Sequence, residues 1–148
     1  MNRFLMFVTI ALLYTTSALA SESPVYTGLL SNTGAGGYDT VSYFESGQPT
    51  KGSSEYTTQY QGATWRFANA ENLARFKENP ERFAPVYGGY CAWAVSRGYT
   101  ARIDPEAWKI YRGKLYLNYS KGVQAQWVED IPGNIAKAES HWPGVLDN

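Results

Sequence analysis

Cys91 is the only cysteine in a chain of 148 residues, so no internal disulfide can hold the fold together. Packing has to do that work. Aromatic side chains make up 16% of the residues, and each buried ring takes a large apolar area out of water. The expected molecule is one small domain with an aromatic core.

Residues 1–20 read MNRFLMFVTIALLYTTSALA. Arg3 gives a basic start, Phe4 to Tyr14 is a nearly unbroken apolar run, and Ala18-Leu19-Ala20 is a small-residue cleavage motif. That is the layout of a cleavable signal peptide. The apolar run is shorter than the ~20 residues a spanning helix needs, and no cysteine stands at the cut for lipid attachment. The sequence therefore predicts a periplasmic or secreted protein with no stable membrane insertion after cleavage. Removal of Arg3 tips an even balance of 13 basic and 13 acidic residues by one negative charge. Nucleic-acid binding, which needs a basic surface, is not expected. Both methionines, Met1 and Met6, leave with the leader, while all five tryptophans remain. A lone thiol in an exported chain is either buried or has a task.

Residues 21–37 are rich in Gly, Ser, Thr and Asn and read as a flexible lead. Tyr38 to Phe44 is a short aromatic and β-branched run. Tyr56–Tyr60, Gln61-Gly62 and Ala63–Phe67 predict a β-hairpin. Asn69 is placed to cap a helix from Ala70 to about Glu78, which Asn79-Pro80 ends. Tyr90 to Ser96 predicts a helix with Gly98 as its left-handed stop. Tyr99 to Ile103 reads as a strand and Asp104-Pro105 as a turn. Trp108–Tyr111, Arg112-Gly113 and Lys114–Tyr119 read as a second hairpin. Ser120 starts a helical C-terminal region that Pro132 divides and Trp142-Pro143 ends. No internal repeat is legible. The expected class is α+β, with two small hairpins packed against several short helices.

The stretch Trp65 to Pro85, WRFANAENLARFKENPERFAP, resembles the YHS-domain family, and the resemblance extends from Tyr38 to about Tyr119. Metal-associated members carry a pattern that here reads Phe67, Ala68, Asn72, Phe76, Pro80 and Phe83, preceded by a segment that here reads Asp39-Thr40-Val41-Ser42. The three positions held by cysteine in those members are Ser42, Ala68 and Asn72 here. YGGYCAWAVSRG (Tyr87 to Gly98) with GKLYLNYS (Gly113 to Ser120) looks like an exported branch in which the cysteine is sometimes selenocysteine. The resemblance implies a YHS-like domain over 38–148 with a loose link to heavy metals, copper in particular. It also brings Tyr38, Tyr116, Asn118 and Tyr119 near Cys91.

Soft metals such as Cu(I) favour thiolate and thioether ligands. After cleavage the chain offers Cys91, the single histidine His141 and carboxylates such as Asp39. A structural zinc site is excluded on ligand count. Cys91 is thus a candidate metal ligand, a redox thiol needing an external thiol partner, or a small buried hydrophobe between Tyr90 and Trp93. The expected site is a small pocket with Cys91 at its base and Tyr38, Asp39, Tyr90, Tyr116, Asn118 and Tyr119 as ligand-binding neighbours. Asp39 reads equally as a turn cap, and His141 as an exposed helix end. No other nucleophile, metal or phosphate motif appears. Three classes of function stay open: a binding or sensing module for a small ligand or a soft metal, a thiol redox enzyme, or an interaction domain with an inert cysteine.

Overall fold

The computed structural model describes residues 20–148; the leader read over 1–20 lies outside them except for Ala20. The fold is α+β. Strands β1 (Ser53–Tyr60) and β2 (Ala63–Phe67) form one antiparallel hairpin, and β3 (Asp104–Tyr111) and β4 (Lys114–Asn118) form another. Each turn is two residues long with positive φ at both: Gln61 and Gly62 at 49° and 78°, Arg112 and Gly113 at 48° and 76°. That geometry matches the twist of the flanking strands. On β2, Ala63, Trp65 and Phe67 are buried and alternate with half-buried Thr64 and Arg66, the period of a one-sided strand. On β4, Leu115 to Asn118 are all buried, so helices cover both of its faces.

The helices start where side chains satisfy their first N–H groups. Asn69 accepts from the Asn72 N–H at 2.8 Å and opens α2 (Ala70–Glu78), after which Asn79 opens α3 (Pro80–Phe83). Ser120 opens α5 (Lys121–Val128) and Asp130 opens α6 (Ile131–His141). The Tyr38–Phe44 run contains the start of α1 (Thr40–Glu45), which Asp39 caps. The helix expected over Tyr90–Ser96 is α4 (Ala92–Ser96), and Gly98 follows it with φ +86°.

Contrary to the sequence reading, the chain repeats itself. A 3-10 turn at Gly34–Gly37 leads into α1, β1, β2 and α2; a 3-10 turn at Val86–Gly89 leads into α4, β3, β4 and α5. Each element of the second unit starts 51 or 52 residues after its counterpart. Both 3-10 turns hold two successive left-handed residues, Ala35-Gly36 and Tyr87-Gly88. Both hairpins slip register within their first strand, between Ser53 and Thr57 and between Asp104 and Trp108. The repeat is one of backbone path. Few side chains are shared, among them Tyr38 with Tyr90 and Gly62 with Gly113, so letter-by-letter reading misses it.

Other expectations need correcting. Tyr99 to Ile103 is not a strand: it has no ladder partner, and its ties are local, Cys91 N–H to Ala101 O at 3.1 Å and Tyr99 N–H to Ala94 O at 3.1 Å. Asp104-Pro105 does carry local turn chemistry, Asp104 Oδ1 accepting the Glu106 N–H at 2.9 Å, but it stands at the entry of β3, with Asp104 paired to Asn118 just before the register slip. A proline is tolerated at that place because a strand's first residues and bulges can spare an N–H. Pro132 does not split a helix. The break falls at Glu129-Asp130, and Pro132 lies in the first turn of α6, where its missing N–H is spare.

Part of the lead expected to be flexible over 21–37 lies along the domain, while Leu29 and Leu30 are fully exposed. Glu22 N–H bonds Leu146 O at 2.7 Å, the Tyr90 hydroxyl bonds Ser23 O at 2.7 Å, Tyr26 N–H bonds Gly88 O at 3.0 Å, and Val25 is fully buried. Gly88 permits this approach. A Cβ there would overlap the carbonyl of Pro24.

Two buried clusters result. The first packs Trp65, Phe67 and Phe76 with Val41, Tyr43 and Phe83, with Leu73 half-buried against them, as the resemblance implies, and reaches into the second unit through Cys91, Leu115 and Leu117. The second packs Tyr87, Tyr90, Tyr116 and Trp127 with Ala138 and Val145. Phe76 and Trp127 are both 0% exposed and occupy corresponding places on α2 and α5.

Candidate functional site

Cys91 stands immediately before α4, as Asp39 stands before α1. The two residues are also alike in what surrounds them. Asp39 is fully buried. Its carboxylate accepts the N–H groups of Val41 (2.9 Å), Ser42 (3.1 Å) and Ala68 (2.9 Å), and the Asn72 side-chain amide (2.8 Å). The three positions that the resemblance aligns with cysteines, Ser42, Ala68 and Asn72, therefore do converge, each through an N–H donated to one carboxylate. Charge-assisted bonds of this kind are about twice as strong as neutral ones. Asp39 is a clasp joining α1 to the β2–α2 corner, which is the capping role weighed for it, extended across the unit.

Around Cys91 the same corner recurs. Tyr119 N–H, the first after β4 just as Ala68 is the first after β2, donates to Cys91 Sγ at 3.2 Å. The thiol in turn donates to Asn118 Oδ1 at 3.6 Å, and the same oxygen accepts Trp93 N–H at 3.0 Å. The Trp93 bond fixes which end of the Asn118 amide faces the sulfur. The other end, Nδ2, is buried without a partner. Burial pushes the Cys91 thiol above its ordinary pKa, while the nearby N–H groups of Ala94, Tyr119 and Trp93 act against that rise. Burial prevails. Cys91 is 1% exposed.

The expected pocket is only partly assembled. Cys91, Asn118 and the Tyr119 backbone come together. The Tyr119 ring points away, 41% exposed, with the Arg102 guanidinium 4.5 Å above it. Tyr38 makes an isolated bridge with Lys51, and Asp39 belongs to its own clasp. Tyr90 and Tyr116 are walls of the second core. His141, exposed at the end of α6, lies against Gly98. Among the described residues, no group of three or more His, Cys, Asp and Glu side chains is placed to hold a metal ion. Cys91 lines none of the five principal surface clefts.

Sequence reasoning missed a cleft of about 500 Å³ between the two units. The first unit contributes Tyr60 and Glu81, the second Tyr87 and Tyr116, and the C-terminal region Glu139 and Trp142. Tyr87 packs its ring 5.8 Å from Trp142 and 6.1 Å from Tyr116. Tyr87 also has φ +58°, a region that bulky side chains rarely adopt. Its hydroxyl is buried with no hydrogen-bond partner. No local signal in the sequence marks this cleft, because its walls come from residues as far apart as Tyr60 and Trp142.

Neither a curated protein nor a solved structure matches the chain. Residues 41–87 match the family model of the YHS domain, a span that runs from α1 through the first hairpin to Tyr87, and a YHS domain is therefore present in the first of the two units.

Proposed function

We propose that the protein is a small, non-catalytic binding module whose ligand enters the cleft between the units and whose Cys91 is a structural thiol. The observation that carries this reading is the contrast in access. The sulfur is sealed, with a donor and an acceptor both in place, while the cleft is open and lined by Tyr60, Tyr87, Tyr116 and Trp142. Clefts between packed units are common ligand sites. The composition of residues 1–20 supports an exported setting, and the Tyr87–Gly98 segment supports kinship with the exported branch of the YHS family.

A soft metal such as copper at Cys91 requires the sulfur to leave Tyr119 and Asn118 and to find further ligands. Thiol redox chemistry requires the same opening. Alkylation of the native protein tests all three readings at once. A structural thiol reacts only after unfolding, and Cu(I) leaves its reactivity and the melting temperature unchanged. Native-state alkylation that stoichiometric Cu(I) blocks would establish the metal reading instead. Native-state alkylation that Cu(I) does not block would favour redox.

A further inference from the structure

Resting on the reading of the inter-unit cleft as the binding site, we infer that its ligand is an organic ammonium ion held by Glu139 and Glu81 among the rings of Tyr60, Tyr87, Tyr116 and Trp142. Aromatic faces attract organic cations, and the attraction grows as water is excluded. Two carboxylates stand beside these rings. Glu139 lies close enough to Tyr87 and Tyr116 to disfavour ionisation of both phenols, adding to the larger effect of burial, and Glu81 does the same for Tyr60. Among the described residues the ion pairs join Arg75 to Glu45 and to Glu71, so neither cleft carboxylate has a cationic partner.

The remaining charged wall residue is Lys114. It is exposed and, like Glu139 and Tyr116, also lines a neighbouring cleft that runs along α6 past Tyr111 and Arg112. Two carboxylates against one ammonium leave the cleft net negative. An anion would face that charge, and a neutral ligand would leave both carboxylates unmatched.

The test uses choline and its uncharged isostere dimethylbutanol, titrated against isotope-labelled protein and read at the indole N–H of Trp142. Choline should shift that signal saturably and bind about tenfold more tightly than dimethylbutanol, the scale of one desolvated cation–π contact. Glu139→Gln, at an exposed position on α6 that does not threaten folding, should weaken choline by about tenfold and leave dimethylbutanol unchanged. Lys114→Ala should leave choline binding equal or tighter. If dimethylbutanol binds as well as choline, the ammonium assignment is wrong and the cleft stands as a neutral site. If neither moves Trp142, the assignment and the cleft reading both fail.

Discussion

The two units share a backbone path and differ in what sits at its central corner. In the first, a carboxylate takes four N–H donors and ties α1 to the β2–α2 corner. In the second, a thiol takes Tyr119 N–H, and an asparagine, Asn118, takes the Trp93 N–H that corresponds to Val41's. The same corner is filled by a carboxylate in the first unit and by a thiol with an amide in the second. The clasp can therefore be formed in two chemistries. A cysteine at such a corner is first a piece of the architecture, whatever further chemistry it has.

The comparison can be broken at the cores. Phe76→Ala and Trp127→Ala remove corresponding, fully buried rings, and each should cost about 3–5 kcal/mol in a urea titration. A loss near that size in one unit and under about 1 kcal/mol in the other would mean that only one unit is a true core. Phe76 touches Trp65, Phe67 and Tyr60 at ring distances of 4.9 to 5.7 Å. Trp127 lies 5.0 Å from Tyr116.

The clasps sharpen it. Asp39→Ala strands four donors, and buried donors without acceptors cost about 1–3 kcal/mol each before relaxation, so a loss of about 3 kcal/mol is expected from chemical denaturation. Cys91→Asp should be nearly neutral, within about 1 kcal/mol of wild type. The new carboxylate can take the N–H groups of Trp93, Ala94 and Tyr119. Asn118 can then turn over and give its unpartnered Nδ2 an acceptor. If Cys91→Asp unfolds the protein while Cys91→Ala does not, the second corner is not a carboxylate-compatible clasp.

Much of the fold was legible in the sequence because local signals carried it. Gln61-Gly62 and Arg112-Gly113 announce their turns, and Asn69 and Ser120 announce their helices. The aromatic scaffold of Trp65, Phe67, Phe76 and Phe83 follows from the resemblance to the YHS family. What failed was non-local. Tyr99 to Ile103 has strand composition but no neighbouring strand to pair with. The lead looks flexible by composition, yet Val25 and the Pro24–Gly88 contact anchor its 22–26 part. The candidate site divided in the same way. Cys91 beside Asn118 and Tyr119 was within reach of sequence reasoning, whereas the cleft is assembled from residues as far apart as Tyr60 and Trp142 and has no local signature.

Alkali gives a smaller and broader effect. Burial pushes the Tyr90 phenol up to about 12 and the Cys91 thiol above its ordinary value of 9.0, and the Tyr43 and Tyr87 phenols rise further. Each pKa is higher in the folded state. The stability these groups contribute is fully present below their unfolded values and is lost as pH rises through the folded ones. Stability should hold from neutral pH to about 9 and then fall. Cys91→Ala should remove the earliest part of that fall and leave the tyrosine part. The smallest effect belongs to the surface. Arg75 pairs with Glu45 and Glu71 at 2.6 and 2.8 Å in open solvent, and the corresponding α5 position is Gln126. Glu45→Gln should leave the melting temperature within error of wild type, because exposed pairs contribute little.

The bond from Glu22 N–H to Leu146 O makes the backbone close to a ring, with the lead and the tail meeting beside the second unit. A ring can be reopened elsewhere. Joining the lead to the tail through a short linker and cutting at the exposed Ser46–Gln48 loop gives a circular permutant. It keeps both hairpins and the Pro24–Gly88 contact, and it separates α1 from the strand that follows it. The clasp of Asp39 with Ala68 and Asn72 would then have to hold α1 in place without the covalent link to β1.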